Sequence, residues 1–155
     1  MAKKIVVFLI LISLAIGVFA GSSCTLIKKP APTESVSRKE AGGVAWIMNN
    51  LDEGKRLARG EGKLVLVEFW AAWCAFCVKM DKETFPDPKV RDLIKKYYVP
   101  VRIDADEKPK LLDEFNVAGL PTIVILDKSG KQIDIAVGFR DATALAKMLE
   151  DNARK

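Results

Sequence analysis

Residues 64–77 constrain this chain more than any other stretch. Leu64-Val65-Leu66-Val67-Glu68-Phe69-Trp70 is a continuous apolar run with one acid inside it. Its length and its β-branched residues favour a strand covered on both faces, because a half-exposed strand would alternate apolar with polar side chains. Such a strand needs helices above and below it. Directly after it comes Trp73-Cys74-Ala75-Phe76-Cys77, two cysteines three positions apart at the point where the strand hands over to a helix.

The flanking sequence completes an α/β pattern. Val44 to Arg59 has Ile47, Met48, Leu51 and Leu57 at roughly helical spacing, closed by Gly60-Glu61-Gly62, which predicts an opening helix. Cys74 to Tyr98 reads as helix, broken at Phe85-Pro86-Asp87-Pro88 by two prolines. Val99–Asp104 predicts a second strand, Leu111-Leu112-x-x-Phe115 a short helix and Pro121–Leu126 a third strand. Lys128–Lys131 is a turn, Gln132–Val137 a fourth strand in a hairpin, and Ala142–Leu149 a closing helix. Crossovers through helices imply parallel pairing, and the hairpin adds an antiparallel edge. The expected architecture is a central mixed sheet of four to five strands with helices on both faces.

Upstream of this pattern the chain changes character. Met1–Lys4 is a short basic start, and Ile5–Ala20 is uncharged and apolar apart from Ser13 and Gly17. Its 16 residues fall short of the roughly 20 that a spanning helix wants, and they suit the hydrophobic region of an export signal. Small residues lead from Ala20 to Cys24. Cleavage after Ala20 is one outcome; lipidation of Cys24 after a lipoprotein-type signal is another, although Gly21 stands where a large aliphatic residue is usual; an uncleaved anchor is the third. Each puts the remainder outside the cytoplasm. Residues 1–23 are thus expected to be signal and residues 24–42, polar with Pro30 and Pro32, a tether. Residues 43–153 remain as the folded unit, roughly 110 residues and enough for one core.

Composition narrows the chemistry. The chain of 155 residues has no histidine, which removes Ser-His-Asp and Cys-His catalysis and histidine-ligated metals. Its 25 Lys+Arg face 20 Asp+Glu, and no basic run exceeds two residues, so a nucleic-acid stripe is not expected. The first 20 residues hold two of those lysines and no acid, leaving a net charge of +3 for the rest. Three cysteines cannot all pair within one chain.

The cysteine pair has chemical content. A thiol at a helix N-terminus lies near the positive end of the dipole and near unpaired N–H groups, and both favour thiolate, the nucleophile. Cys74, at the exposed N-terminal position, is expected to attack; Cys77, three residues on, is expected to resolve the mixed disulfide. Half a zinc site is disfavoured, since there is no second pair and no histidine. Haem attachment is ruled out because Val78 follows where histidine is required. A permanently closed structural disulfide stays open as an alternative. Neither a metal nor a cofactor beyond the cysteine pair is expected.

At this point the sequence resembles the thioredoxin superfamily. Val67–Cys77 matches its strand-to-active-site segment, Gly119-Leu120-Pro121-Thr122 its proline loop and Asp127–Lys131 its hairpin turn. Within it, the chain most resembles the C-terminal periplasmic domain of the transmembrane thiol:disulfide interchange proteins. That likeness rests on Cys77-x-x-x-Asp81, Thr84-Phe85-x-Asp87-Pro88-x-Val90 and Val117-x-Gly119-Leu120-Pro121-Thr122. The resemblance implies a thioredoxin fold and a cis Pro121 packed beside the cysteines. It also implies that Leu120 offers its backbone to an incoming cysteine-containing segment in a short β-pairing.

Two acids and several aromatics complete the candidate site. Glu68, buried in its strand, should have a raised pKa and take or return the proton of Cys77; at a strand edge it would merely reach water. Asp81 lies one turn beyond Cys77 on the same helical face. The resemblance implies that an acid there tunes the cysteines; the alternative is a solvated side chain. Trp73 and Phe76 are expected to shape the rim met by partners, while Phe69 and Trp70 pack inward. The lysines and arginines of the long helix are expected to be solvated.

The leading expectation is an exported, thioredoxin-like thiol–disulfide oxidoreductase that reduces disulfides in cysteine-containing exported proteins and draws electrons from a membrane donor. An oxidase or isomerase of disulfides, with a membrane oxidant in place of the donor, and a non-enzymatic tethered binding or chaperone module are the alternatives.

Overall fold

The structure, a computed structural model, describes residues 38–154. The expected signal, Cys24 and most of the expected tether lie outside the described residues. In chain order the elements are β1 (Arg38–Ala41), β2 (Val44–Met48), α1 (Leu51–Glu61), β3 (Leu64–Trp70), α2 (Ala75–Glu83), α3 (Pro88–Tyr97), β4 (Tyr98–Asp104), α4 (Pro109–Glu114), β5 (Thr122–Leu126), β6 (Gln132–Val137) and α5 (Ala142–Ala153). Among the described residues no helix is long and apolar enough to cross a membrane.

The strands form one mixed sheet in the order β1-β2-β4-β3-β5-β6. The apolar run β3 lies inside it, parallel to β4 and antiparallel to β5. Its side chains alternate between two cores, as the pleat requires. Leu66 joins Trp46, Tyr98, Ile123 and Ile125 beneath Met80 of α2, Ile94 of α3 and Leu149 of α5. Val65, Val67 and Phe69 join Val99, Val101, Ile103 and Val124 against Leu51 and Ala58 of α1 and Phe115. Both faces of β3 are thus dry, which is why its sequence does not alternate.

The expected opening helix over 44–59 is corrected by the structure. Val44–Met48 is a strand, and the helix begins only at Leu51. The apparent helical spacing came from joining a strand to a helix. The boundary is made by Asn49, with a positive φ of 53°, and Asn50, whose Oδ1 accepts from the Glu53 amide at 3.1 Å. The sheet therefore has six strands, not four or five.

The folded part also begins earlier than residue 43. Arg38–Ala41, inside the stretch expected to be tether, pairs antiparallel with β2. Gly42 and Gly43 form the two-residue turn, with φ of 58° and 71°. That geometry favours glycine, and a Cβ on Gly42 would come to 2.7 Å from Phe85 Cβ. Polar composition hid this strand: β1 is an exposed edge with little apolar surface to bury.

The break between α2 and α3 falls at the two prolines. Asp87 Oδ1 accepts from the amides of Lys89 and Val90 at 2.9 and 3.1 Å, and Pro88 takes the first helical position, where its missing N–H costs nothing.

Candidate active site

The central strand delivers the cysteines to the start of a helix. After Trp70 the chain passes through Ala71-Ala72-Trp73, and Cys74 caps α2, its Sγ accepting from the Cys77 amide at 3.1 Å. Cys74 and Cys77 are joined as a disulfide with Cα atoms 5.3 Å apart. They pack with Ala71 and Ala105, with Leu112 and Leu120 against them. Cys74 keeps 6% of its surface and Cys77 none, so Cys74 is the more accessible of the two. Its exposure is narrower than a helix N-terminus alone would give, because these neighbours wrap it.

The proline loop faces this pair. The Leu120–Pro121 bond is cis and Pro121 is buried. The Pro121 carbonyl accepts from the Gly138 amide at 2.7 Å, which ties the loop to the end of β6. Leu120 lies outside the ladder of β5, which starts at Thr122, and its backbone makes no backbone hydrogen bond among the described residues.

The rim is apolar. Trp73 is 70% exposed, with its indole Nε1 donating to Asp106 Oδ2 at 2.9 Å. Phe76 is 58% exposed and leans toward Phe139, ring centroids 6.3 Å apart. Lys79 Nζ lies 4.6 Å over the Phe139 ring. Phe69 is fully buried against Phe115, whereas Trp70 is half-buried.

Glu68 is fully buried on the sheet face that α2 covers. Its register neighbour on β4 is Arg102, itself 2% exposed. Arg102 Nε lies 2.8 Å from Glu68 Oε2, an ion-pair contact without hydrogen-bond alignment, and Nη2 reaches Glu68 Oε1 at 3.4 Å. The same Nη2 donates to Asp81 Oδ2 at 3.0 Å. The guanidinium is stacked by aromatics, its Cζ 4.2 Å from the Trp70 ring and 5.7 Å from Trp46. Burial pushes the Glu68 carboxyl up to about 8; Arg102 pulls the other way and Asp81 adds to the rise.

The structure thus brings Cys74, Cys77, Leu120 and Pro121 together at one end of the sheet, with Trp73 and Phe76 on the rim. It joins Glu68 to Asp81 through Arg102. Asp81 is partly buried and ion-paired rather than solvated. Arg102 is the residue that sequence reasoning missed. The available signal was a second charge, opposite in sign to Glu68, in the middle of an apolar strand. Cys24 lies outside the described residues.

The arrangement is that of dithiol–disulfide exchange: a capping sulfur open to attack, a buried partner sulfur and a buried carboxyl with a raised pKa. Comparison with known proteins agrees. The thioredoxin-like domain family matches residues 51–153. The thiol:disulfide interchange protein DsbD of Yersinia pestis is 38% identical over 100 residues, which is 61% of this chain but 17% of that protein. The chain therefore spans less than a fifth of the length of the relatives of this kind. A thioredoxin from Thermus thermophilus superposes with a TM-score of 0.61 at 26% identity, covering 68% of this chain and 85% of that one. The reduced C-terminal domain of DsbD from Neisseria meningitidis gives 0.58 at 26%, covering 66% and 93%. With Cys74-Ala75-Phe76-Cys77 at the head of α2 and residues 51–153 matched throughout, this chain belongs to the thioredoxin-like domain family.

Proposed function

We propose that the protein is an exported thiol–disulfide oxidoreductase that works as a reductant. Cys74 thiolate attacks a partner disulfide, forming a mixed disulfide and releasing one partner thiolate. Cys77 gives up its proton and attacks Cys74 Sγ. The internal disulfide closes, the second partner thiolate leaves, and two electrons have passed to the partner. The cysteine pair carries those electrons without a further cofactor.

One observation carries the reducing direction. Among the described residues, the helix terminus is the one group that donates to a sulfur of the pair. Ala75 and Phe76 stand between the cysteines, no histidine exists, and the one hydrogen bond to a cysteine sulfur among the described residues comes from the Cys77 amide. The buried ionisable groups on this side are carboxyls, with Arg102 engaged by them. A poorly stabilised thiolate is a poor leaving group and makes the dithiol a better electron donor. The likeness to the DsbD terminal domains supports the same direction, and the signal-like residues 1–23 support export. The partners are cysteine-containing exported proteins, and the electron source is a donor in the membrane. The open Leu120 backbone would pair with the partner's segment, over the apolar rim of Trp73 and Phe76.

Equilibration against glutathione tests this. A potential near about −270 mV supports a reductant, and one near about −120 mV overturns it. Loss of disulfide reduction in Cys74→Ser, with partners trapped on Cys74 in Cys77→Ala, supports exchange through the pair. Activity that survives Cys74→Ser refutes it.

A further inference from the structure

We propose that the groove at the starts of β2 and β4 binds the headgroup phosphates of anionic membrane lipids, and so holds the domain with its cysteine pair turned away from the bilayer. This goes beyond the exchange function proposed above and does not depend on it.

The groove has a cause in the sequence. β2 pairs with β4 only through Ile47–Val101 and Met48–Arg102. Just beyond β2, the Asn49 amide donates to the Arg102 carbonyl at 2.8 Å. Residues two apart in a strand face the same neighbour, so Ile47 and Ala45 turn their backbone groups the same way as Asn49. In a continued ladder the Ala45 carbonyl would accept from residue 100. That residue is proline and has no N–H. The pairing stops there and the strands part. Arg38 Nη1 comes to the Ala45 carbonyl instead, at 3.4 Å.

The gap is a groove of about 520 Å³, an ordinary size for a ligand site. Its buried lining is largely apolar, with Val44, Ile94, Val99 and Pro100 beside Tyr98. Its charged lining is mostly basic. Arg38 of β1, Lys63 ahead of β3, and Arg91 and Lys95 of α3 stand against two acids, Glu61 and Asp92. Glu61 is taken by Lys63 at 2.9 Å. Among the described residues Arg38, Arg91 and Lys95 are in no ion pair. Arg91 lies against the β1–β2 turn: a Cβ on Gly43 would come to 3.3 Å from Arg91 Nε, so the bare glycine backbone makes room for it. Like charges gathered around one concavity repel each other until an anion enters, and low-dielectric walls concentrate their field.

Two observations select the membrane as the source of that anion. Arg38 opens β1 and is itself part of the groove, so the upstream chain, whose residues 1–23 read as an export signal or anchor, joins the domain here. Where those residues or a lipidated Cys24 hold the chain at a bilayer, residues 24–37 reach at most about 50 Å and keep the groove near it. The groove also lies at the opposite end of the sheet from the cysteines. It takes in the start of β4, whereas the pair follows the end of β3, and these parallel strands of seven residues are about 20 Å long. A surface of lipid phosphates supplies the negative charge that the groove lacks and leaves Cys74 facing away from it.

The test is acetylation of the full chain by a water-soluble reagent, read lysine by lysine by mass spectrometry. The chain is held in vesicles of phosphatidylcholine alone or of phosphatidylcholine mixed with phosphatidylglycerol. Lys63 and Lys95 are expected to react more slowly in the mixed vesicles, while Lys79 and Lys108, at the cysteine end, keep their rates. Arg91→Ser is expected to weaken that protection about fivefold, the effect of one cation near a charged surface, and Arg91→Lys to retain most of it. Arg91 is exposed, so both variants are expected to fold. Equal rates for Lys63 and Lys95 in the two kinds of vesicle overturn the proposal. So does equal slowing of all four lysines, which reports the surface potential alone, and so does full protection in Arg91→Ser. Protection that inorganic phosphate produces equally well in phosphatidylcholine vesicles also overturns it, by assigning the groove to a free anion. Cys74→Ser is expected to match wild type here, so failure of the exchange function leaves this result standing.

Discussion

Glu68→Gln should stabilise the folded protein, and increasingly so as pH rises. The Glu68 carboxyl sits at about 8 in the fold against an ordinary 4.5. Below pH 4.5 both folded and unfolded chains bind this proton, and its contribution to stability is full. Between 4.5 and 8 the unfolded chain loses the proton while the fold retains it, so stability drains away until the folded group itself ionises. Glutamine matches the protonated side chain in shape and cannot ionise. The stability difference between variant and wild type should therefore grow by up to roughly 1.4 kcal/mol per pH unit and level off at about 5 kcal/mol above pH 8. Urea unfolding of both proteins in the disulfide form at pH 5, 7 and 9 measures it, because the titrations of groups that do not touch Glu68 cancel in the difference. Parallel pH profiles for the two proteins would refute a buried, proton-loaded Glu68, as would a difference that shrinks on going alkaline.

Three further outcomes are expected. A Cβ on Gly54 of α1 would lie 2.2 Å from Val101 Cγ2, so Gly54→Ala should cost about 1–3 kcal/mol, and Val101→Ala should relieve most of that cost in a double-mutant cycle. Tyr98→Phe removes the hydroxyl that donates to the Leu149 carbonyl at 2.6 Å and should lower stability by about 1–2 kcal/mol in denaturant titrations. Phe76→Ser, at a side chain 58% exposed, should leave stability within about 0.5 kcal/mol yet slow reduction of protein disulfides more than that of small disulfides; equal slowing of both would remove Phe76 from partner contact.

What the sequence made legible follows from the range of the interactions involved. β3, the cysteine turn and the proline break between α2 and α3 are local: an unbroken apolar run, a capping sulfur and Asp87-Pro88 each act within a few residues. The N-terminal strands were hidden for the opposite reason. β1 is short, polar and at the sheet edge, and it is held by backbone pairing to β2 and by the Trp46 indole donating to the Ala41 carbonyl, neither of which its own composition announces. β2 was masked because Ile47, Met48 and Leu51 fit a helical period, although Ile47 pairs with Val101 while Leu51 starts α1. Asn49-Asn50 held the correction: a residue with positive φ followed by a helix cap ends one element and begins another.

The site divides along the same line. Cys74 and Cys77 are bonded to each other within one helical turn, and spacing alone displayed them. Glu68 and Arg102 are far apart in sequence, and each alone is an anomaly in an apolar strand. They explain one another only once β3 and β4 are set side by side in register, and Asp81 joins them only once α2 is laid over that face. With no histidine in the chain, the proposed exchange chemistry would draw on this carboxyl group instead. A protein moving thiol protons near neutral pH needs a group that titrates there, and an ordinary carboxyl titrates far too low. Sealing Glu68 from water raises it; the Asp81 charge raises it further; Arg102 limits the rise. The balance of the three brings a carboxyl to about 8, into the range that histidine would otherwise serve.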